Sequence, residues 1–234
     1  AQSYVYNGYL LTLSSLLILG GSLADYYGRK KIYALGLWGF GITSVLCGLA
    51  PNMDILILSR VLQGAAGALL VPGSLALIGS SFSQEEQGRA FGIWSSSSAA
   101  MTLLGPLVGR TLVNTLGWRV GFLVNVPLIL IALYALRHIP ESKSETASGH
   151  FDYLGALVIA LAVGGLAFGG IFGQERNWQD PLAFIALGIG VIATLVFIPL
   201  MHRRKNPLVP LSLFSSRDFA IINLSTFLIY GALY

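Results

Sequence analysis

The chain has 234 residues, of which 55% are hydrophobic and 10% charged, with a mean hydropathy of +0.73. Water-soluble domains carry about 25% charged residues, so the composition excludes an ordinary soluble domain and indicates a chain dissolved in lipid. The net charge of +4 does not point to nucleic acid, because the basic residues sit in short clusters between apolar runs rather than along one face.

A hydrocarbon layer about 30 Å thick is crossed by roughly 20 mainly apolar residues in helical form, since unpaired backbone polar groups are too costly to expose there. The first such stretch covers about residues 4–24 and ends in the charged turn Asp25 to Lys31. The second, about 32–50, stops at Pro51 to Asp54, and the third, about 55–82, meets the polar loop Ser83 to Arg89. A fourth covers about 90–113 and turns at Asn114 to Gly117, and a fifth covers about 118–136. The hydrophilic stretch Arg137 to His150, rich in Ser and Glu, then forms the main internal boundary. Segments six and seven, about 153–172 and 181–201, are joined by Gly173 to Asp180, and an eighth begins near Asp218. The expected fold class is all-α, a polytopic transmembrane helix bundle.

Loop charges set its orientation, because Lys and Arg in short loops are retained on the cytoplasmic side. One set of alternate loops holds Arg29, Lys30, Lys31, Arg89, Arg137, Lys143, Arg203, Arg204, Lys205 and Arg217; the other holds Arg176, with Arg119 near a segment edge. The first set is therefore read as cytoplasmic, and a cell-membrane location is expected. Ala1 then falls outside. The chain opens without an initiator Met and stops at Tyr234 within an apolar run, so both ends read as cut and at least one preceding helix is expected.

Several chemistries find no support in the residues. Cys47 is the single cysteine and lies in an apolar segment, where a small packing residue is expected and no disulfide or thiol metal cluster can form from this chain alone. His138, His150 and His202 lack metal-ligand spacing, so neither a metal site nor a cofactor is expected. A membrane enzyme would need a nucleophile with its base, paired acids or a metal cluster, and the polar run Ser95 to Ser98 has no His or Asp nearby. The 28 glycines recur with Ala and Ser at helical spacing, as in Gly64 to Gly67 and Gly164 to Gly170, a pattern that lets membrane helices approach closely.

Three patterns carry more specific information. In the first, Gly21, Asp25, Gly28, Arg29 and Lys30, an acid follows a small residue by one helical turn and the chain then turns on glycine into a basic cluster. Gly21 permits a helix to pack near the membrane edge, Asp25 can face a helix amino terminus or a cation, and Gly28 tolerates the turn. The second places Arg60 inside an apolar helix, roughly 9 Å from its outer end at 1.5 Å per residue. A permanent charge there is costly, so Arg60 is expected to face a watery cavity or a carboxylate, with Gln63 one turn along sharing its hydrogen bonds and Gly64 beside them; snorkelling to the interface is the alternative. In the third, Gly105, Pro106 and Gly109 combine a missing helical hydrogen bond with flanking positions that allow a bend or close contact.

The first pattern resembles the signature loop between the second and third helices of the major facilitator superfamily, which in that family links the two halves and stabilises the outward-facing state. The second matches the family's fourth-helix motif at Arg60, Gln63 and Gly64, whose arginine is implicated in proton coupling. The third resembles the fifth-helix antiporter signature, with Arg110 standing where antiporters usually carry a further glycine. Gly117-Trp118-Arg119, Phe122 to Pro127, Phe151 to Gly155, and Pro207 to Leu211 with Leu213 and Phe214 resemble the fourteen-helix drug:proton antiporters, in which two extra helices lie between six-helix halves.

The resemblance implies a four-part organisation: residues 1–139 as helices two to six, 140–151 as a cytoplasmic linker, 152–201 as the extra pair, and 202–234 as linker and start of the second bundle. It implies a secondary transporter, with small-molecule substrate, protons and the lipid bilayer as partners, no nucleic acid, and a monomeric state. Another cargo, such as a siderophore, amino acid or lipid, and a non-transporting receptor are the alternatives. No carboxylate lies mid-span, so the proton carrier is not visible. Tyr6, Tyr9 and Asn125 are candidate cavity residues; Tyr4, Tyr6 and Tyr9, with Trp94 and Trp118, could line an aromatic pocket or anchor helices at the interface. Arg29 is expected to pair with Glu85 or Glu86.

Overall fold

The computed structural model describes residues 2–143, 151–204, 207–209 and 216–233, and the following applies to them. His150, Lys205 and the run 210–215 fall outside. The described residues form helices and no strand: α1 (Gln2–Tyr27), α2 (Arg29–Gly48), α3 (Met53–Ser81), α4 (Gln84–Leu116), α5 (Trp118–Leu123), α6 (Asn125–Leu136), α7 (Tyr153–Glu175), α8 (Pro181–Arg203) and α9 (Arg217–Leu233). Six stretches are long and apolar enough to cross a membrane: α1, α2, α3, α5 with α6, α7 and α8.

The helices bury small and polar residues and expose large apolar ones, the reverse of a water-soluble bundle. On α2, Leu35, Trp38, Ile42 and Leu46, continued by Leu49 at its C-cap, recur every three or four residues along an exposed stripe, while Gly36, Ser44, Cys47 and Gly48 are buried. That stripe suits lipid, and the small inward face lets backbones approach. The closest approach is between α1 and α3, where a Cβ on Gly20 would overlap the Ala68 carbonyl, and one on Gly64 would overlap the Tyr9 carbonyl and sit 3.0 Å from Thr12 Cβ. α7 and α8 form a hairpin on the same principle, a Cβ on Gly165 falling 2.7 Å from Gly190 N, and α7 lies against α1. α2 packs on α3 and receives α5 and α6, closing a core of Leu37, Leu77, Ile129 and Leu136.

Three boundaries differ from those read in the sequence. The expected charged turn from Asp25 to Lys31 is helical on both sides of Gly28, so α1 carries Asp25 and α2 begins at Arg29. α4 begins at Gln84 rather than near residue 90, because Ser83 and Glu86 form a reciprocal capping box that starts the helix within the polar loop. The fifth segment is interrupted at Val124, since Pro127 has no N–H to offer the carbonyl four residues back. α4 buries none of its residues and makes substantial contact only with α3 and α5, and α9 makes no substantial contact with the other described helices.

Candidate functional site

Arg60 lies in the first third of α3 and is half-buried, facing residues of α1, α2 and α5. Its Nη1 donates to Gln63 Oε1 at 2.6 Å and its Nε to the Val5 carbonyl at 3.2 Å. The guanidinium lies over the Tyr9 ring, 4.1 Å from the centroid, with the Phe122 ring 5.7 Å away. Two aromatic faces thus support the charge electrostatically. Among the described residues no carboxylate pairs with it. Of the two expected surroundings for Arg60, a watery cavity or a carboxylate, the carboxylate is not found among the described residues, where neutral dipoles and π faces hold the charge.

The network continues inward through Gln63, which is fully buried. Gln63 Nε2 donates to Ser44 Oγ at 2.6 Å, Asn125 Nδ2 donates to the same hydroxyl at 3.3 Å, and Cys47 Sγ lies 3.8 Å from Gln63 Oε1. Helical spacing brings Arg60 and Gln63 onto one face, and the glycine at 64 lets that face meet α1. Of the candidate cavity residues, Tyr9 and Asn125 join the cluster. Tyr6 is 62% exposed and makes no ring contact with the guanidinium, but it lies close enough to act on the Arg60 charge. Ser44 was not singled out from the sequence, because a lone serine in an apolar run gives no signal of its own.

The basic end of the bundle holds a second construction. Arg29 Nε and Nη2 donate to Asp25 Oδ1 at 3.0 and 2.9 Å, bridging the end of α1 and the start of α2. The expected pairing of Arg29 with Glu85 or Glu86 is therefore corrected: Asp25, one turn away, occupies the guanidinium, and Glu86 is engaged by Ser83. Gly28 adopts φ 116°, where only glycine is unstrained, and as N-cap it has no side chain to satisfy the first amides of α2. Glu141 supplies that function from 111 residues away, its Oε1 accepting from Lys30 N at 3.0 Å and its Oε2 from Lys31 N at 3.2 Å. Ser142 O accepts from Arg29 N at 2.9 Å, and Lys30 Nζ donates to the Ile139 carbonyl at 2.5 Å. The positive end of α2 favours the carboxylate further.

Glu141→Ala is expected to cost about 1 kcal/mol, the usual loss of a helix cap, read as a lower midpoint in thermal unfolding of the detergent-solubilised protein. Glu141→Gln, which keeps an acceptor without the charge, should fall between. Gly21 sits 3.4 Å from Pro72 Cβ if given a Cβ, so it marks a tight α1–α3 contact.

Gly105, Pro106 and Gly109 are not brought to either cluster. They lie on the unburied length of α4, with open space around both glycine positions. Three motifs in one sequence order thus occupy three separate places: a basic-end clasp, a polar core and an exposed helix.

The whole chain, residues 1–234, matches the family model described as Major Facilitator Superfamily. The chain belongs to the major facilitator superfamily. Similar proteins include a methylenomycin A resistance protein of Bacillus subtilis, 36% identical over 99% of this chain and 50% of the relative. Puromycin resistance protein pur8 of Streptomyces alboniger is 35% identical over 99% of this chain and 47% of its own length, and multidrug transporter protein MdtP of Bacillus subtilis is 30% identical over 97% and 42%. The chain thus spans about half the length of the relatives it matches. As a superfamily member with six membrane-capable stretches, it is a multi-pass membrane protein. The resemblance first seen at Gly21 to Lys31 and at Arg60 to Gly64 falls on the two assembled clusters.

Proposed function

We propose that this chain is the amino-terminal part of a proton-coupled exporter of amphipathic small molecules, working by alternating access about the Arg60 cluster. The observation that carries the reading is a permanent charge inside an apolar bundle, held by Gln63, Val5 and Tyr9 and without a carboxylate among the described residues. Such a charge is costly to keep at that depth and marks ion and substrate paths in membrane proteins. A carboxylate brought against it has its pKa lowered and gives up its proton, while a cationic compound arriving at that carboxylate displaces the arginine. The names of the relatives, which concern resistance to methylenomycin and puromycin and multidrug transport, support a drug-like cargo.

Residues Gly21, Asp25, Gly28, Arg29 and Lys30 serve in this reading as the brace of the cytoplasmic face. Gly105, Pro106 and Gly109 supply the adaptable helix, and α7 with α8 form a pair inserted between two halves. The test is efflux from proteoliposomes holding the intact protein that contains this chain, with an imposed proton gradient. Export of an amphipathic dye should stop when an uncoupler collapses the gradient; uncoupler-insensitive export would exclude proton coupling, and absence of any export would exclude the transporter reading for the compounds tried.

A further inference from the structure

A cavity of about 120 Å³ lies away from the Arg60 cluster, at the seam where α1, α3 and α7 meet. Its wall is apolar, built from Leu11, Ile57, Phe168, Ile171 and Phe172, and these residues are half-buried, so the cavity is open on one side. An apolar cavity of comparable size, about 150 Å³, stays dry and accepts hydrocarbon. The rim is different in kind. It stands at the end of the bundle opposite the basic loops, where Asn7 Nδ2 donates to Glu175 Oε1 at 2.5 Å and Arg176 Nη2 donates to the Tyr4 hydroxyl at 3.1 Å.

These two hydrogen bonds tie a carboxylate and a guanidinium on consecutive residues to α1 without joining them to each other. Glu175 Oε2 and the Nε and Nη1 of Arg176 make no hydrogen bond to the described residues, and both side chains are exposed. The guanidinium also lies 5.5 Å from the Phe172 ring, which carries the charge to the mouth of the cavity. A ligand complementary to this site has an apolar chain, a phosphate for the guanidinium and an ammonium for the carboxylate.

We propose that the α1–α3–α7 seam binds a phospholipid with a primary ammonium headgroup, its phosphate on Arg176, its ammonium on Glu175 and part of one acyl chain in the cavity. The site is independent of the transport reading, and its test needs no transport. Native mass spectrometry of the full-length protein, titrated with phosphatidylethanolamine, phosphatidylglycerol and an uncharged galactolipid of matched chains, reads binding and headgroup preference together. The ethanolamine lipid should bind at least fivefold more tightly than the other two. Glu175→Gln should abolish its preference over phosphatidylglycerol, Arg176→Gln should weaken both phospholipids about fivefold, and Leu11→Trp should weaken all three by filling the cavity. If Leu11→Trp fails to fold, Ile171→Trp fills it from the opposite wall. Equal affinity for the three lipids, a preference for phosphatidylglycerol, or a preference untouched by either charge substitution would overturn the proposal.

Discussion

Gly64→Ala is expected to lower the thermal midpoint of the purified protein and reduce the monodisperse fraction, although alanine is the better helix former. A Cβ at this position meets the Tyr9 carbonyl, Thr12 Cβ at 3.0 Å and Leu13 N at 3.2 Å. Two of those three are backbone atoms, which cannot turn aside as a side chain can, so α1 must move away from α3. Ordinary overpacking costs about 1–3 kcal/mol, and Gly64→Val should reach or pass the upper end. Gly109→Ala is the control: nothing lies within 4 Å of its Cβ, so the usual gain of about 0.5–1 kcal/mol from removing a helical glycine should appear within this part of the protein. Equal destabilisation by both substitutions would mean that α1–α3 contact does not set the stability.

Arg60→Ala should cut proton-driven efflux of the intact protein by about 10- to 100-fold while leaving much of it folded. Hydrogen bonds involving a charged group contribute about 1.5–3 kcal/mol, and each 1.4 kcal/mol is about tenfold. Gln63 Oε1 loses its 2.6 Å donor and the Val5 carbonyl its 3.2 Å donor in this variant. Arg60→Lys keeps the charge but cannot present two donors in a plane while covering the Tyr9 ring, so it should recover stability better than transport. Full efflux by Arg60→Ala, measured with the same gradient, would remove the arginine from the coupling mechanism.

Much of this architecture is legible in the amino acids. Apolar lengths locate six spanning stretches, though the expected fourth, in α4, is not among those apolar enough to cross, and an arginine within an apolar run flags the polar cluster; both follow from the cost of exposing polar groups to hydrocarbon. Connections made by distant residues are less legible. Glu141 caps α2 across a separation of 111 residues, and nothing local to Gly28 names its partner. The one hint is that a glycine N-cap leaves its helix needing an acceptor. Arg29 is expected from the sequence to reach Glu85 or Glu86 because both loops lie on the basic side and the resembling family's loop is braced across it. With only Gly28 between two helices, Asp25 and Arg29 lie close enough to satisfy each other. Tyr6 and Tyr9 could not be told apart by residue type; Tyr9 stacks under the guanidinium, while Tyr6 stays near the charge but largely exposed.

The buried thiol of Cys47 gives the polar cluster an optical and chemical handle. It is the chain's single cysteine and has no exposed surface, with its sulfur 3.8 Å from Gln63 Oε1. A membrane-permeant maleimide can reach it only during moments when the helices packed around it part at that level. The alkylation rate therefore reports how often the core breathes, and a change in that rate on adding a compound or a proton gradient would register the cluster's response without any engineered label.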